Sequence, residues 1–345
     1  MTLTDGRSSV TLADVAKKAG FSRSTASLVF QESTLVADDT RARVRAAAEE
    51  IGYVYNRRAA ALRMQRTNTI GLLIPGVSNP FFAQLVDAIE VGLTPSGNRV
   101  LLANSLDDPA RQSDLIRTLL ENRVDGLLVV PTVNSTPDFI RPVELQNLPH
   151  VLMTRQLPEI ATSYVGLNDR RGGQLAARHL LEHGCTRIAY FGGPEVYTAV
   201  ERLDGVHDEL RRASAIFDAA WSVKTKTTST AGYAAAQALL ETHQPPDGIV
   251  CHSDAIAFGL MHALEEHGIR IGEDTRIIGF DDVEYARVWS PPLSSIAVSA
   301  PDMGAEAASM LLSQIVAGSY TPARSVIFDP VLSIRESCGC QPSGR

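Results

Sequence analysis

The sequence predicts a multi-domain protein, with a small all-α unit at the amino terminus and a larger α/β body of two doubly wound lobes behind it. Three observations predict this. Residues 11–52 hold three short amphipathic helix patterns separated by cap and turn residues. From Thr69 onward, short apolar runs alternate with amphipathic stretches. Charge divides at the same place: residues 1–66 carry 11 Lys/Arg and 7 Asp/Glu, the remainder 21 and 32, within a net charge of −7. A basic segment on an acidic body assigns contact with a polyanion to the amino-terminal part.

The small unit is read first. Leu12, Val15, Ala16 and Ala19 fall at i, i+3, i+4 and i+7, one apolar stripe on a short helix. Thr11 is placed to cap its start and Gly20 to end it in the left-handed conformation. Phe21 makes the turn apolar, and Ser22 caps a second helix whose Ala26, Val29 and Phe30 point inward. Its other face carries Ser24, Ser27, Leu28 and Gln31, with Arg23 beside them. A third helix runs from about Asp38 to Ile51, with Val44, Ala47, Ala48 and Ile51 as its core stripe and Gly52 as its stop. Two short helices across a three-residue turn, closed by a third, make a helix-turn-helix unit. The second helix of such a unit enters the major groove by its amino-terminal end.

In the body, strands are expected at Ile70–Ile74, Val100–Ala103, Gly126–Val130, Val151–Thr154, Tyr164–Gly166, Ile188–Phe191, Gly248–Cys251, Ile277–Phe280 and Ser295–Val298. Helices are expected between most of them, at Phe81–Leu93, Arg111–Glu121, Arg171–His183 and Ala255–His267. Near-continuous apolar strands alternating with helices predict parallel sheets covered on both faces. In such sheets ligands bind outside the carboxyl ends of the strands.

The run from Thr11 to Phe30, TLADVAKKAGFSRSTASLVF, resembles the headpiece signature of the lac repressor (LacI/GalR) family. The resemblance extends over almost the whole chain, through Glu201-Arg-Leu-Asp-Gly, Gly279-Phe-Asp-Asp-Val and Pro291-Pro-Leu-Ser-Ser-Ile. It implies a headpiece over 1–55 and a hinge helix with linker over 56–66. The body it implies is similar to periplasmic binding proteins, with three crossings between lobes near 166, 297 and 325. One lobe is then 67–166 with 298–325, the other 167–297 with 326–340. The implied protein is a regulator, in the repressor sense, that binds a palindromic double-stranded DNA operator as a homodimer and is switched by a small-molecule effector.

The resemblance also assigns residues. On the DNA side they are Thr11, Leu12, Ser22, Arg23, Ser24, Thr25, Ser27, Leu28 and Gln31, then Asn56, Arg57, Leu62 and Arg63 of the hinge. Leu62 stands where the family wedges a leucine between base steps in the minor groove. Arg23 suits bidentate pairing with guanine, and Leu28, where many members have Arg or His, suits a thymine methyl. On the effector side, Phe81 and Phe82 are expected to cover the ligand. Arg202 is expected to grip hydroxyls or a carboxylate, and Asp281 to accept hydrogen bonds from a sugar. Thr154, Ser253 and Thr227 replace an Asp, an Asn and a nearby stacking aromatic, which favours a sugar-like metabolite over a flat purine.

Other classes are disfavoured. None of the four lysines (17, 18, 224 and 226) follows a glycine, which removes a Walker loop, and neither G-x-G-x-x-G nor G-x-S-x-G occurs. An enzyme with a catalytic centre is therefore not expected, nor is a cofactor or a metal. His179 and His183 share a helix face but lack the glutamate of H-E-x-x-H and are expected on a surface helix; Cys338 and Cys340 are expected in an exposed reduced tail. No apolar run approaches the ~18–20 residues of a membrane span. The first twenty residues lack the apolar core of a signal peptide, so the cytoplasm is the expected location.

Overall fold

The computed structural model describes residues 10–55, 66–157, 159–194, 196–318 and 322–340. They divide into two compact units, up to Thr67 and from Asn68 onward.

In the first unit, α1 (Leu12–Ala19), α2 (Arg23–Phe30) and α3 (Asp38–Glu50) surround one small core. Val15, Ala16, Ala19, Ala26, Val29, Val44, Ala47 and Ala48 are buried in it, and Leu12, Phe21, Phe30 and Ile51 pack against it. Gly20 ends α1 at φ 77°, as the turn requires. Arg43 on α3 lies 4.7 Å over the Phe21 ring and donates to the Ala19 carbonyl, fixing the turn against the third helix.

The second unit contains two six-stranded sheets. The first lobe holds β1 (Thr69–Ile74), β2 (Arg99–Asn104), β3 (Gly126–Val129), β4 (His150–Met153), β5 (Ser163–Leu167) and β11 (Ser325–Phe328), in the order β11-β5-β4-β3-β1-β2. The second holds β6 (Arg187–Phe191), β7 (Ile216–Phe217), β8 (Gly248–Cys251), β9 (Arg276–Asp281), β10 (Ser294–Ala297) and β12 (Val331–Ser333), in the order β12-β10-β9-β8-β6-β7. Every pairing is parallel except β10 with β12. In both lobes the second strand flanks the first and the third lies on its other side. This doubly wound order opens a crevice at the carboxyl edge where the direction of winding reverses.

The intervening helices are α4 (Pro80–Leu93), α5 (Pro109–Glu121), α6 (Arg141–Leu145), α7 (Asp169–Glu182), α8 (Tyr197–Ala213), α9 (Ser229–Leu240), α10 (Asp254–Glu266) and α11 (Ala300–Ala317). All nine expected strands are present within a residue or two. The edge strands β7, β11 and β12 were not expected.

The chain crosses between lobes after β5, after β10 and between β11 and β12. The third crossing corrects the expected boundary: β11 pairs with β5, so 326–328 complete the first lobe and the crossing falls at Asp329–Pro330. The tail is a second correction. Cys338 is fully buried, not exposed. Ile277 donates its N–H to the Ser337 carbonyl at 2.8 Å, and Ser294 donates to Ser337 Oγ at 2.8 Å, tying this segment to the second sheet. His179 is buried as well, so the face it shares with His183 is covered at one end.

Candidate DNA-reading helix and effector cleft

The headpiece residues are placed by their caps. Thr11 and Asp14 form a reciprocal capping box: the Thr11 N–H donates to Asp14 Oδ2 at 2.8 Å and the Asp14 N–H donates back to Thr11 Oγ1 at 3.4 Å. The Thr11 hydroxyl also donates to Asp14 Oδ2 at 2.7 Å, and this bond, with the one from the Thr11 N–H, holds the Asp14 carboxyl below its usual range. Ser22 Oγ accepts from the Thr25 N–H at 3.1 Å and shares a hydroxyl cluster with Ser24 and Thr25 at 2.7 and 2.8 Å. Arg23, Ser24 and Gln31 are exposed on the face that opens α2 or just beyond its end, whereas Thr25 and Ser27 are half-buried. Leu28 departs from the expected outward placement: it is half-buried and packs against the headpiece core. Asn56, Arg57, Leu62 and Arg63 lie outside the described residues.

In the body, Phe81, Phe82, Thr154, Arg202, Thr227, Ser253 and Asp281, which are far apart in sequence, line one cleft of about 860 Å³ at the carboxyl edges of the two sheets. Arg202 is the hub of the network. Its Nε donates to Asp169 Oδ1 at 2.7 Å, its Nη1 donates to the His252 carbonyl at 2.7 Å, and its guanidinium lies 3.5 Å over the Phe280 ring. Glycine permits this arrangement. A Cβ on Gly173 of α7 would stand 2.0 Å from the Arg202 carbonyl oxygen, and one on Gly205 of α8 would stand 2.1 Å from that of Arg170. Backbone meets backbone where these helices cross, so Arg202 on α8 reaches Asp169 at the start of α7. Burial pushes the Asp169 carboxyl up and the neighbouring Arg202 pulls it back.

Asp281 ends β9 with φ 107°, a strained conformation for a residue with a side chain. Its carboxyl is buried and pushed up to about 7 by desolvation, against the opposing pull of Arg202 and of the Asn79 hydrogen bond. That bond crosses the cleft: Asn79 Nδ2, on the first lobe, donates to Asp281 Oδ2, on the second, at 3.4 Å. His252 is held well below its ordinary range by burial and by Arg202 and Arg155, and its Nδ1 lies 2.8 Å from the Tyr190 hydroxyl.

The other expected residues differ in what they offer. Thr154 Oγ1 is buried with no hydrogen-bond partner among the described residues, an orphaned group aimed at no protein atom. Ser253 lines the cleft, but its Oγ caps α10 by accepting from the Ile256 N–H at 3.3 Å. Phe81 is mostly core, with Phe82 edge-on to it at 5.3 Å and less buried. Sequence reasoning missed Asn79, Asp107, Arg155, Asp169 and Lys224, all of which line the same cleft. Arg155 donates to Asp107 at 2.5 and 3.2 Å and to the Pro131 carbonyl, forming a fixed, charge-paired polar patch on the first lobe. Only Asn79, next to the singled-out phenylalanines, gave a local signal, through its cap position ahead of Pro80.

A helix-turn-helix unit and a two-lobed body with a polar cleft define a DNA-binding regulator with a ligand-binding domain. The profile for bacterial regulatory proteins of the lacI family matches residues 11–56, and that for a periplasmic binding protein-like domain matches 177–338. The transcriptional repressor CytR of Escherichia coli (strain K12) is 31% identical over 335 residues, 96% of this chain and 97% of CytR. Among solved structures, the CelR–cellobiose complex superposes with a TM-score of 0.73 at 30% identity, over 95% of this chain and 99% of that one. The Lac repressor dimer bound to operator and the anti-inducer ONPF superposes with a TM-score of 0.82 at 25% identity, over 96% and 99%. The chain belongs to the LacI family: it is an effector-responsive transcriptional regulator that binds DNA, not an enzyme. None of its described helices is long and apolar enough to cross a membrane.

Proposed function

We propose that this chain is a cytoplasmic, dimeric repressor of a palindromic operator, released or tightened by a small polyhydroxylated effector bound in the cleft. The observation that carries the reading is the Arg202–Asp281 pair. A guanidinium held from behind by Asp169 and a buried carboxyl, both on the second lobe, face a cleft whose other wall belongs to the first lobe. Among the described residues Arg202 Nη2 makes no bond, so it is available to a ligand hydroxyl or carboxylate. Lys224 and Lys226 line the cleft too, and give an acidic group on the ligand, such as a uronate or phosphate, a counter-charge.

Arg23 and Ser24 read base edges in the major groove in this account, and Leu62 wedges the minor groove with Asn56, Arg57 and Arg63 on the flanking backbone. The exposed apolar residues Val91 on α4 and Leu101 and Leu102 on the edge strand β2 support a second copy docking on the first lobe. A two-fold protein requires two-fold DNA.

Two measurements test this. Ligand released from the native protein on denaturation is identified by mass spectrometry, and then checked by calorimetry alongside a panel of neutral sugars, sugar acids and sugar phosphates. Duplexes selected from a random library are sequenced. Recovery of two-fold symmetric sites whose binding responds to that ligand is expected; an asymmetric single half-site, or a ligand that leaves DNA binding unchanged, refutes it.

A further inference from the structure

Cys338, Cys340 and His179 bring their sulfur and imidazole nitrogen atoms within 4.8 Å of one another. The juxtaposition is tertiary, because the histidine sits late on α7 and the cysteines follow β12. His183, which caps the carboxyl end of α7, stands just outside that group and approaches it at Cys340, with its ring centroid 4.4 Å from that of His179 and its Nε2 3.3 Å from Cys340 Sγ. Cys340 Sγ lies 3.7 Å from His179 Nε2. Tetrahedral zinc, with Zn–S of about 2.3 Å and Zn–N of about 2.0–2.1 Å, demands S···N edges of roughly 3.5–3.6 Å. The two measured edges straddle that value. We propose that His179, His183, Cys338 and Cys340 form a zinc site that fastens the carboxyl-terminal segment to α7.

The backbone is shaped for the pair of sulfurs. Gly339 between them adopts φ 84°, and a Cβ there would stand 2.7 Å from the Gly272 carbonyl oxygen and 2.9 Å from Arg276 Nε. Only glycine can hold this turn. Two thiolates and two neutral imidazoles match the preference of zinc for nitrogen and sulfur donors over the oxygen donors taken by magnesium or calcium. Binding releases two thiol protons for each Zn²⁺ taken up, so the filled site is neutral and its burial carries no net charge. His183 is exposed and Cys340 half-exposed, which leaves an entry path, while Cys338 and His179 close the site from within.

The test uses the full chain, purified under reductant, stripped with a chelator and titrated with Co²⁺ as the optical probe. One equivalent should give the intense visible bands of tetrahedral, thiolate-ligated cobalt, and one equivalent of Zn²⁺ should bleach them. Cys340→Ser and His183→Ala, both at accessible positions, should lose or weaken the bands while keeping the wild-type circular dichroism. Zn²⁺ should raise the melting temperature of the wild type but not of Cys340→Ser. Cobalt spectra identical in wild type and Cys340→Ser would overturn the proposal. So would a Cys338–Cys340 disulfide, two hydrogens lighter by mass, that persists under reductant and excludes the metal.

Discussion

Replacing Arg202 should damage the protein in two separable ways. The guanidinium is the only counter-charge in contact with Asp169 among the described residues, and the two side chains are 12% and 5% exposed. Arg202→Met keeps an unbranched apolar side chain in place of the arginine stem but leaves a buried carboxylate unpaired, a loss of about 3–5 kcal/mol when one partner of such a pair is removed. The pH dependence has a definite sign. Without Arg202, burial raises the folded-state pKa of Asp169 still further above its unfolded value. The penalty is then full above that raised value, shrinks as pH falls through it, and is gone below the unfolded carboxylate range of about 4. Effector affinity should fall roughly ten- to hundredfold for one lost charged hydrogen bond. Adding Asp169→Asn should restore most of the stability and none of the affinity, because the neutral amide no longer needs a cation while the ligand still does. Urea unfolding between pH 4 and 8, with calorimetry of the effector on each variant, separates the two effects. A single variant as stable as wild type at pH 7, or a double variant with full affinity, would refute the reasoning.

Other perturbations follow from the same geometry. If ligand hydroxyls donate to ionised Asp281, whose carboxyl stands at about 7 in the free cleft, affinity should rise with pH through that value. It should be about tenfold weaker at pH 6 than at pH 8, a ratio that calorimetry at the two pH values reads directly. Gly173→Ala puts a methyl 2.0 Å from the Arg202 carbonyl and should cost about 1–3 kcal/mol in denaturant unfolding while weakening effector binding through a displaced Arg202. Thr11→Ala removes the hydroxyl half of the α1 capping box and should cost about 1 kcal/mol, seen as faster amide exchange in α1 of the full chain. Leu62→Ala should lower specific operator affinity by roughly a few kcal/mol and spare binding to random DNA, measured by anisotropy at fixed salt.

Much of this molecule is legible in its sequence because most of its strands are buried on both faces. Such strands appear as runs like Ile70–Ile74 and Gly248–Cys251, and the helices between them declare their caps. The strands that escaped are β7, with two residues, and β11 and β12, edge strands with partly exposed side chains whose apolar runs span at most three residues. In the cleft, residues inside dense motifs were found, and those whose role depends on a distant partner were not. Asp169 reads as an ordinary acidic helix start until α8 lays Arg202 against it. Ser253 shows the reverse failure, since its position faces the cleft while its hydroxyl is occupied by the α10 cap. Cys338 and His179 lie more than 150 residues apart, and nothing local in either segment signals that they meet.

The order of strands in the two sheets has a consequence for synthesis on the ribosome. The first lobe draws β11 and its covering helix α11 from residues 300–328, and the second takes β12 from 331–333. A nascent chain that has already emitted Thr69–Leu167 therefore holds a sheet short of one edge strand and one covering layer until translation is nearly over. The amino-terminal unit, with its own core complete by Tyr53, has no such wait. Its DNA-binding half is thus assembled while the half that controls it is still open, with apolar strands exposed in the interval. This places the hazard of aggregation, and the need for chaperones, in the late phase of synthesis. A premature stop before Ser325 would strip an edge strand from each lobe, so a truncated chain would keep a folded headpiece and lose the domain that responds to the effector.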